Sequence, residues 1–192
     1  MFGPYDWLFS AANSGSGTSF MPVGTKPGGG GGGGSSSAQV ALGKVSKALS
    51  NAAATQNIFS AEQLDCISGI ETGRTWDPNV VASNGRVGLF QFNQANWDAS
   101  GTSIAWNNGA AAKDAETSAE VALALLYRKL GYGGVENPTD DSIQTAIDNF
   151  GEGDGRYGKA VMDCAKQLKN GDFSGAMNTL QTYANWVAGG RQ

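Results

Sequence analysis

Apolar residues recur at helical spacing along most of the chain. Val40, Leu42, Val45 and Leu49 fall roughly on one face of a helix predicted near Gln39–Asn51. Ser60-Ala61-Glu62-Gln63 reads as a capping box, in which the serine hydroxyl and the glutamine side chain satisfy each other's free backbone N–H groups. A second helix therefore starts there, runs to about Glu71 and is ended by Gly73. Between Thr75 and Gly88 the pattern is broken by Pro78, Asn84 and Gly85, which predicts a loop or small hairpin. A short helix is expected from near Asn93. Thr117-Ser118-Ala119-Glu120 reads as another capping box and opens the strongest helix, with Ala122, Leu123, Leu126 and Leu130 before Gly131. Asp141-Ser142-Ile143-Gln144 opens a helix ending near Phe150. Arg156–Leu168 follows, with Tyr157, Val161, Cys164 and Leu168 at helical spacing. Asp172 caps a last helix carrying Met177, Leu180, Ala184 and Val187. The sum is a mostly α domain over residues 38–192, with no internal repeat.

Composition separates the first 37 residues from this domain. Seven of the 29 glycines are consecutive, Gly28–Gly34, and they run into Ser35-Ser36-Ser37, so residues 1–37 are expected to be a flexible Gly/Ser/Pro-rich tail. Its aromatic start, Phe2 to Phe9, is unusual for a plain linker. The net charge of −4 and the lack of a basic block argue against nucleic acid as a partner. No apolar run is long enough to span a bilayer. The start also lacks the basic residues and long apolar stretch of a secretory leader, so delivery by a phage or a secretion system is the expectation.

Histidine is absent, which removes Ser-His and Cys-His catalysis and most zinc sites. Acid–base chemistry is left to carboxylates, tyrosines and lysines. No metal or cofactor is expected: Gly151-Glu152-Gly153-Asp154-Gly155 lacks the alternating oxygen ligands of a calcium loop and follows no strand that would make it a phosphate loop. Cys66 and Cys164 fit no metal motif. They read either as a disulfide pinning two distant helices or as two buried thiols.

One carboxylate stands out. Leu64, Ile67 and Glu71 sit at i, i+3 and i+7, one stripe of a helix, so Glu71 lands beside apolar side chains. There a carboxyl group loses hydration and its proton is held more tightly, the condition for a general acid that protonates a departing sugar oxygen. The plain alternative is a solvated charge at a helix end. Nearby, Thr72 can hydrogen-bond the carboxyl group, Gly88 can bring backbone close to a ligand, and Gln91 can both donate to and accept from a sugar.

The stretch from Ile70-Glu71-Thr72-Gly73 through Asp77-Pro78-Asn79-Val80-Val81-Ala82-Ser83 to Gly88-Leu89-Phe90-Gln91 resembles the core motif of the soluble lytic transglycosylase family, within the lysozyme-like superfamily. Ala146-Ile147-Asp148-Asn149-Phe150-Gly151 is similar to that family's Ala-Tyr-Asn-Ala-Gly segment, and the Leu-rich helix lies between. Phe90-Gln91-Phe92-Asn93 with Asn96-Trp97-Asp98 is similar to lytic enzymes of phages. The resemblance covers about Ser60 to Leu168. It implies a lysozyme-like α fold with a glycan groove and cleavage of the β-1,4 bond between N-acetylmuramic acid and N-acetylglucosamine in peptidoglycan. It also implies Glu71 as acid and then base, with Thr72, Gly88, Phe90, Gln91, Asn149 and Tyr157 around the substrate.

The chain departs from the family in carrying Asp148 where a tyrosine is expected near the acid. Asp148, Asp77 and Asp98 are the candidates for a second carboxylate, which would turn a transglycosylase into a hydrolytic muramidase. Each also has a structural reading, as a helix-face or turn residue. A non-catalytic module that binds glycan or forms a structural tip is the rival class. Trp76, Trp97 and Trp106 read either as sugar-stacking platforms or as core residues. The expected partners are peptidoglycan strands at the cell wall, periplasmic or extracellular, with a larger delivery assembly or an inhibitor protein as further candidates.

Overall fold

A computed structural model describes residues 37–131, 137–151 and 153–190. The predicted tail over 1–37 lies outside them, apart from Ser37, which opens the first helix. Seven α-helices follow: α1 (Ser37–Ala54), α2 (Ala61–Glu71), α3 (Gln94–Ala99), α4 (Ala115–Lys129), α5 (Asp140–Phe150), α6 (Tyr157–Lys169) and α7 (Phe173–Ala188). Two single 3-10 turns, Asn107–Gly109 and Ala111–Lys113, precede α4. Among the described residues there is no named strand, only isolated bridges pairing Val81 with Val87 and Val87 with Phe92. No helix among them is long and apolar enough to cross a membrane.

Helix α2 is the hub. It packs on α1, α6 and α7, while α4 joins α1 to α5 and α5 joins α6. Nine of its eleven residues are buried, so it is enclosed on every side rather than along one stripe. Its start is the predicted capping box, with Gln63 N–H donating to Ser60 Oγ and Ser60 N–H to Gln63 Oε1 at 2.8 Å. The second predicted capping box is displaced: α4 begins at Ala115, and Asp114 caps it by accepting from Thr117 N–H at 2.8 Å. The aspartate precedes the Thr-Ser-Ala-Glu motif and takes the same orphan donors, giving the helix an extra turn. Thr139 likewise caps α5 two residues before Asp141, the expected opening residue. Asn93 and Asp172 cap α3 and α7 as their positions suggest.

Cys66 of α2 and Cys164 of α6 form a disulfide with their Cα atoms 6.1 Å apart, which resolves the two readings of the pair. Trp76 and Trp97 are 1% exposed and are core residues. Their indole N–H groups donate to the carbonyls of Asp65 at 2.9 Å and Ile104 at 2.8 Å. Trp106 is half-buried against Trp97.

Candidate active site

Glu71 is the last residue of α2, and the hub position of that helix determines its surroundings. Its residue exposure is 4%, yet it lines a cleft together with Arg86, Phe90, Gln91, Phe92, Asn96, Leu125, Phe150 and Gly151. The chain must turn sharply beyond it to leave that carboxyl group at the cleft floor. Thr72 makes this turn: its hydroxyl donates to Ser68 O at 2.7 Å and accepts from Trp76 N–H at 2.9 Å. Thr72 thus fastens the helix end and does not bond the Glu71 carboxyl group as expected. Gly73, Arg74 and Trp76 all have positive φ, at 60°, 68° and 46°. The two non-glycine residues bear strain on the order of 1–2 kcal/mol each, which the buried indole and its hydrogen bonds offset.

Tyr157 reaches Glu71 from across the core. Its hydroxyl donates to Glu71 Oε1 at 2.8 Å, and its own exposure is 0%. It therefore holds the Glu71 carboxyl group from within the core and does not line the cleft. Its backbone is held in turn: Tyr157 N–H donates to Asp154 Oδ1 at 3.0 Å, and its ring packs edge-on against Tyr183. Asp148 completes this support. One carboxylate oxygen accepts from Gly155 N–H at 2.8 Å and the other from Gly158 N–H at 3.0 Å. Gly158 permits that approach, since a Cβ there would lie 2.3 Å from Gln144 O. So Asp148, in the slot expected to hold a tyrosine, anchors the loop that delivers a tyrosine from the next helix.

The other wall is the segment from Val80 to Phe92. Gly88, at φ 82°, donates to Val80 O at 2.9 Å and accepts from Gln91 N–H at 3.2 Å, which closes a tight turn. A Cβ on Gly88 would sit 1.9 Å from Ala112 O, so its close approach is to the second 3-10 turn and not to a ligand. The turn throws Gln91 into φ 48° and buries it to 1% exposure at the cleft wall. Gln91 Nε2 donates to Gly88 O at 2.7 Å, while Oε1 is the one buried side-chain polar atom among the described residues with no hydrogen-bond partner. Phe90, Phe92 and Phe150 form a ring cluster, with centroids 6.1–6.4 Å apart, that makes the wall apolar.

Among the residues proposed from sequence, Glu71, Phe90 and Gln91 thus share one cleft. Asn149 is exposed and is absent from the lining. None of the three candidates for a second carboxylate lines it. Asp77 is exposed and closes an Asx turn by accepting from Asn79 N–H at 2.9 Å, Asp98 is exposed on α3, and both Asp148 oxygens are occupied as above. Sequence reasoning missed Arg86, Asn96, Leu125 and Phe150 as lining residues. Phe150, beside Asn149, and Asn96, before Trp97-Asp98, lie in stretches that carry the resemblance, whereas Leu125 carried no signal. It also missed Asp65, a second buried carboxyl group on α2, 7% exposed beside the Ser46 hydroxyl at 3.2 Å. Burial pushes the Asp65 carboxyl up to about 7; the Ser46 hydrogen bond opposes the rise and the charge of Glu62 adds to it. No group of three His, Cys, Asp or Glu side chains able to hold a metal ion occurs among the described residues.

Comparison with known protein families, curated protein sequences and solved structures gives no match.

Proposed function

We propose that this protein has a lysozyme-like fold and cleaves peptidoglycan at the N-acetylmuramic acid-β-1,4-N-acetylglucosamine bond as a lytic transglycosylase, with Glu71 as its one catalytic carboxyl group. The observation that carries the reading is a buried glutamate in a cleft with one aromatic wall, whose described lining holds no other carboxylate. The Tyr157 hydroxyl, donating to Glu71 Oε1 at 2.8 Å, fixes the orientation of that carboxyl group.

With one carboxyl group the chemistry runs through the substrate. Glu71 gives its proton to the glycosidic oxygen as the bond to the anomeric carbon breaks. The acetamido carbonyl oxygen of the same sugar stabilises the electron-poor carbon. Glu71, now a carboxylate, takes the proton of the 6-hydroxyl, whose oxygen closes onto the anomeric carbon as a 1,6-anhydro ring. The acid is regenerated and no water is consumed. Aromatic walls suit this outcome because they exclude the competing water. The site of action is then the cell wall.

Digestion of purified sacculi by wild type and Glu71→Gln, with mass spectrometry of the products, tests the proposal. Anhydro-muramoyl ends made only by wild type are the expected result. Reducing ends would make the protein a muramidase, and inactivity of both proteins would make it a binding module.

A further inference from the structure

Arg86 is the one cationic side chain lining the cleft. It is half-buried on the Val81–Val87 turn, and its guanidinium makes no hydrogen bond or ion pair with any described residue. The ion pair among them is Lys159–Asp163, on the exposed face of α6. A cation placed beside an apolar wall loses hydration without gaining a counter-charge, an arrangement that an anionic ligand would complete. The second observation is the orphaned Gln91 Oε1 in the same cleft. Its orientation is not arbitrary. Nε2 faces the carbonyls of Gly88 at 2.7 Å and Val80 at 3.5 Å, and an amide flip would set oxygen against oxygen. The cleft therefore offers a buried acceptor that needs an N–H or O–H donor, and a cation that needs an anion.

We propose that Arg86 and Gln91 form a subsite for an N-acylated sugar that bears an ionised carboxylate, so that the cleft selects acidic glycan over neutral glycan. The inference rests on the glycan-cleaving reading and narrows its substrate. Gln91 Oε1 accepts from the acylamino N–H or a ring hydroxyl, and Arg86 pairs with the carboxylate. Because Arg86 shares the cleft with Glu71, the carboxylate it meets is carried on the sugar beside the cleaved bond. The free lactyl group of N-acetylmuramic acid has this form. Carboxylates at the far end of a stem peptide lie many bonds away. In a strand that bears peptide, the lactyl carboxyl is tied up as an amide. The preferred strand is therefore the product of an amide hydrolysis, in which water cleaves the lactyl–peptide bond and releases the peptide amine.

Binding is measured on the full chain carrying Glu71→Gln, against strands with free lactyl carboxylates, the same strands capped as methyl amides, and strands carrying stem peptides. The free strands are expected to bind about 10-fold or more tightly than the capped ones, the yield of a charge-assisted hydrogen bond in a partly desolvated site. Adding Arg86→Gln should bring that ratio to near one, and Arg86→Lys should keep part of it. A ratio near one before substitution, or one unmoved by Arg86→Gln, overturns the subsite. Peptide-bearing strands binding as tightly as free ones overturn the sugar-borne carboxylate. Cleavage by wild type is read separately. Carboxylate-selective binding without cleavage would sink the catalytic reading and leave the subsite standing. Cleavage of free and capped strands at equal rates would do the reverse.

Discussion

Helix α2 buries two carboxyl groups six positions apart in its sequence, and they are held in opposite kinds of surroundings. Asp65 is sealed against α1, beside the Ser46 hydroxyl. Glu71 is as deeply buried, but it stands at the helix end, where the chain turns away and the cleft opens onto it. Burial alone therefore does not mark a catalytic acid. What separates the two is access: Asp65 has a partner and lines no described cleft, whereas Glu71 has a partner, Tyr157, and a cleft. The support also differs. Asp65 lies between regular helices, while Glu71 is bounded by a loop with positive φ at Arg74, Trp76 and Gln91. Strain concentrates on the side where function is proposed.

Neutralising each carboxyl group in turn separates burial from access. Glu71→Gln should lower sacculus cleavage by about 10³-fold or more with thermal stability little changed, while Asp65→Asn should leave cleavage largely intact. Equal losses in both variants would mean that burial, not access, governs activity. Next in size is the staple that holds α2 to α6 and so holds Glu71 to Tyr157. Reducing Cys66–Cys164, or replacing both residues with serine, should cost about 4–5 kcal/mol for a loop of 98 residues and lower the melting temperature by about 10–20 °C. Calorimetry with and without reductant reads this.

The pH dependence of stability isolates Asp65. Its carboxyl binds a proton more tightly in the folded protein, about 7, than in the unfolded chain, 3.8. Its stabilising contribution is thus fully present below pH 4 and is lost as pH rises through 7, with a ceiling of about 4 kcal/mol. Denaturant titrations at pH 4, 6 and 8 should show that slope in wild type and a flatter one in Asp65→Asn. The smallest expected effect comes from Tyr157→Phe, which deletes one hydrogen bond to Glu71 and should lower cleavage about 10-fold. Because that bond orients the carboxyl group and does not contact the substrate, its loss should lower kcat with KM little changed. An unchanged kcat would show that the phenol serves packing alone.

Much of the scaffold was legible because its signals are local. The Ser60–Gln63 box starts α2 where it says, and Asn93 and Asp172 cap their helices. The Thr117 box misled because Asp114, three residues upstream, offers an equally good oxygen, and the helix takes the earlier start. The apolar stripe through Leu64, Ile67 and Glu71 implied that Glu71 is buried, for an incomplete reason. The stripe is part of a helix buried all round, and the same enclosure hides Asp65, which the stripe argument does not reach.

What the chain determined by itself is a set of amphipathic segments, their caps and the placing of one glutamate at a helix end, since these follow from spacing within a few residues. Tertiary structure decided the rest of the site. It brought Tyr157 to Glu71 across 86 residues, turned Asp148 from a rival acid into an anchor, and set Arg86 and the unpaired oxygen of Gln91 on the same cleft. Periodicity and capping report on one helix at a time, whereas which polar atom finds a partner depends on packing between segments remote in sequence.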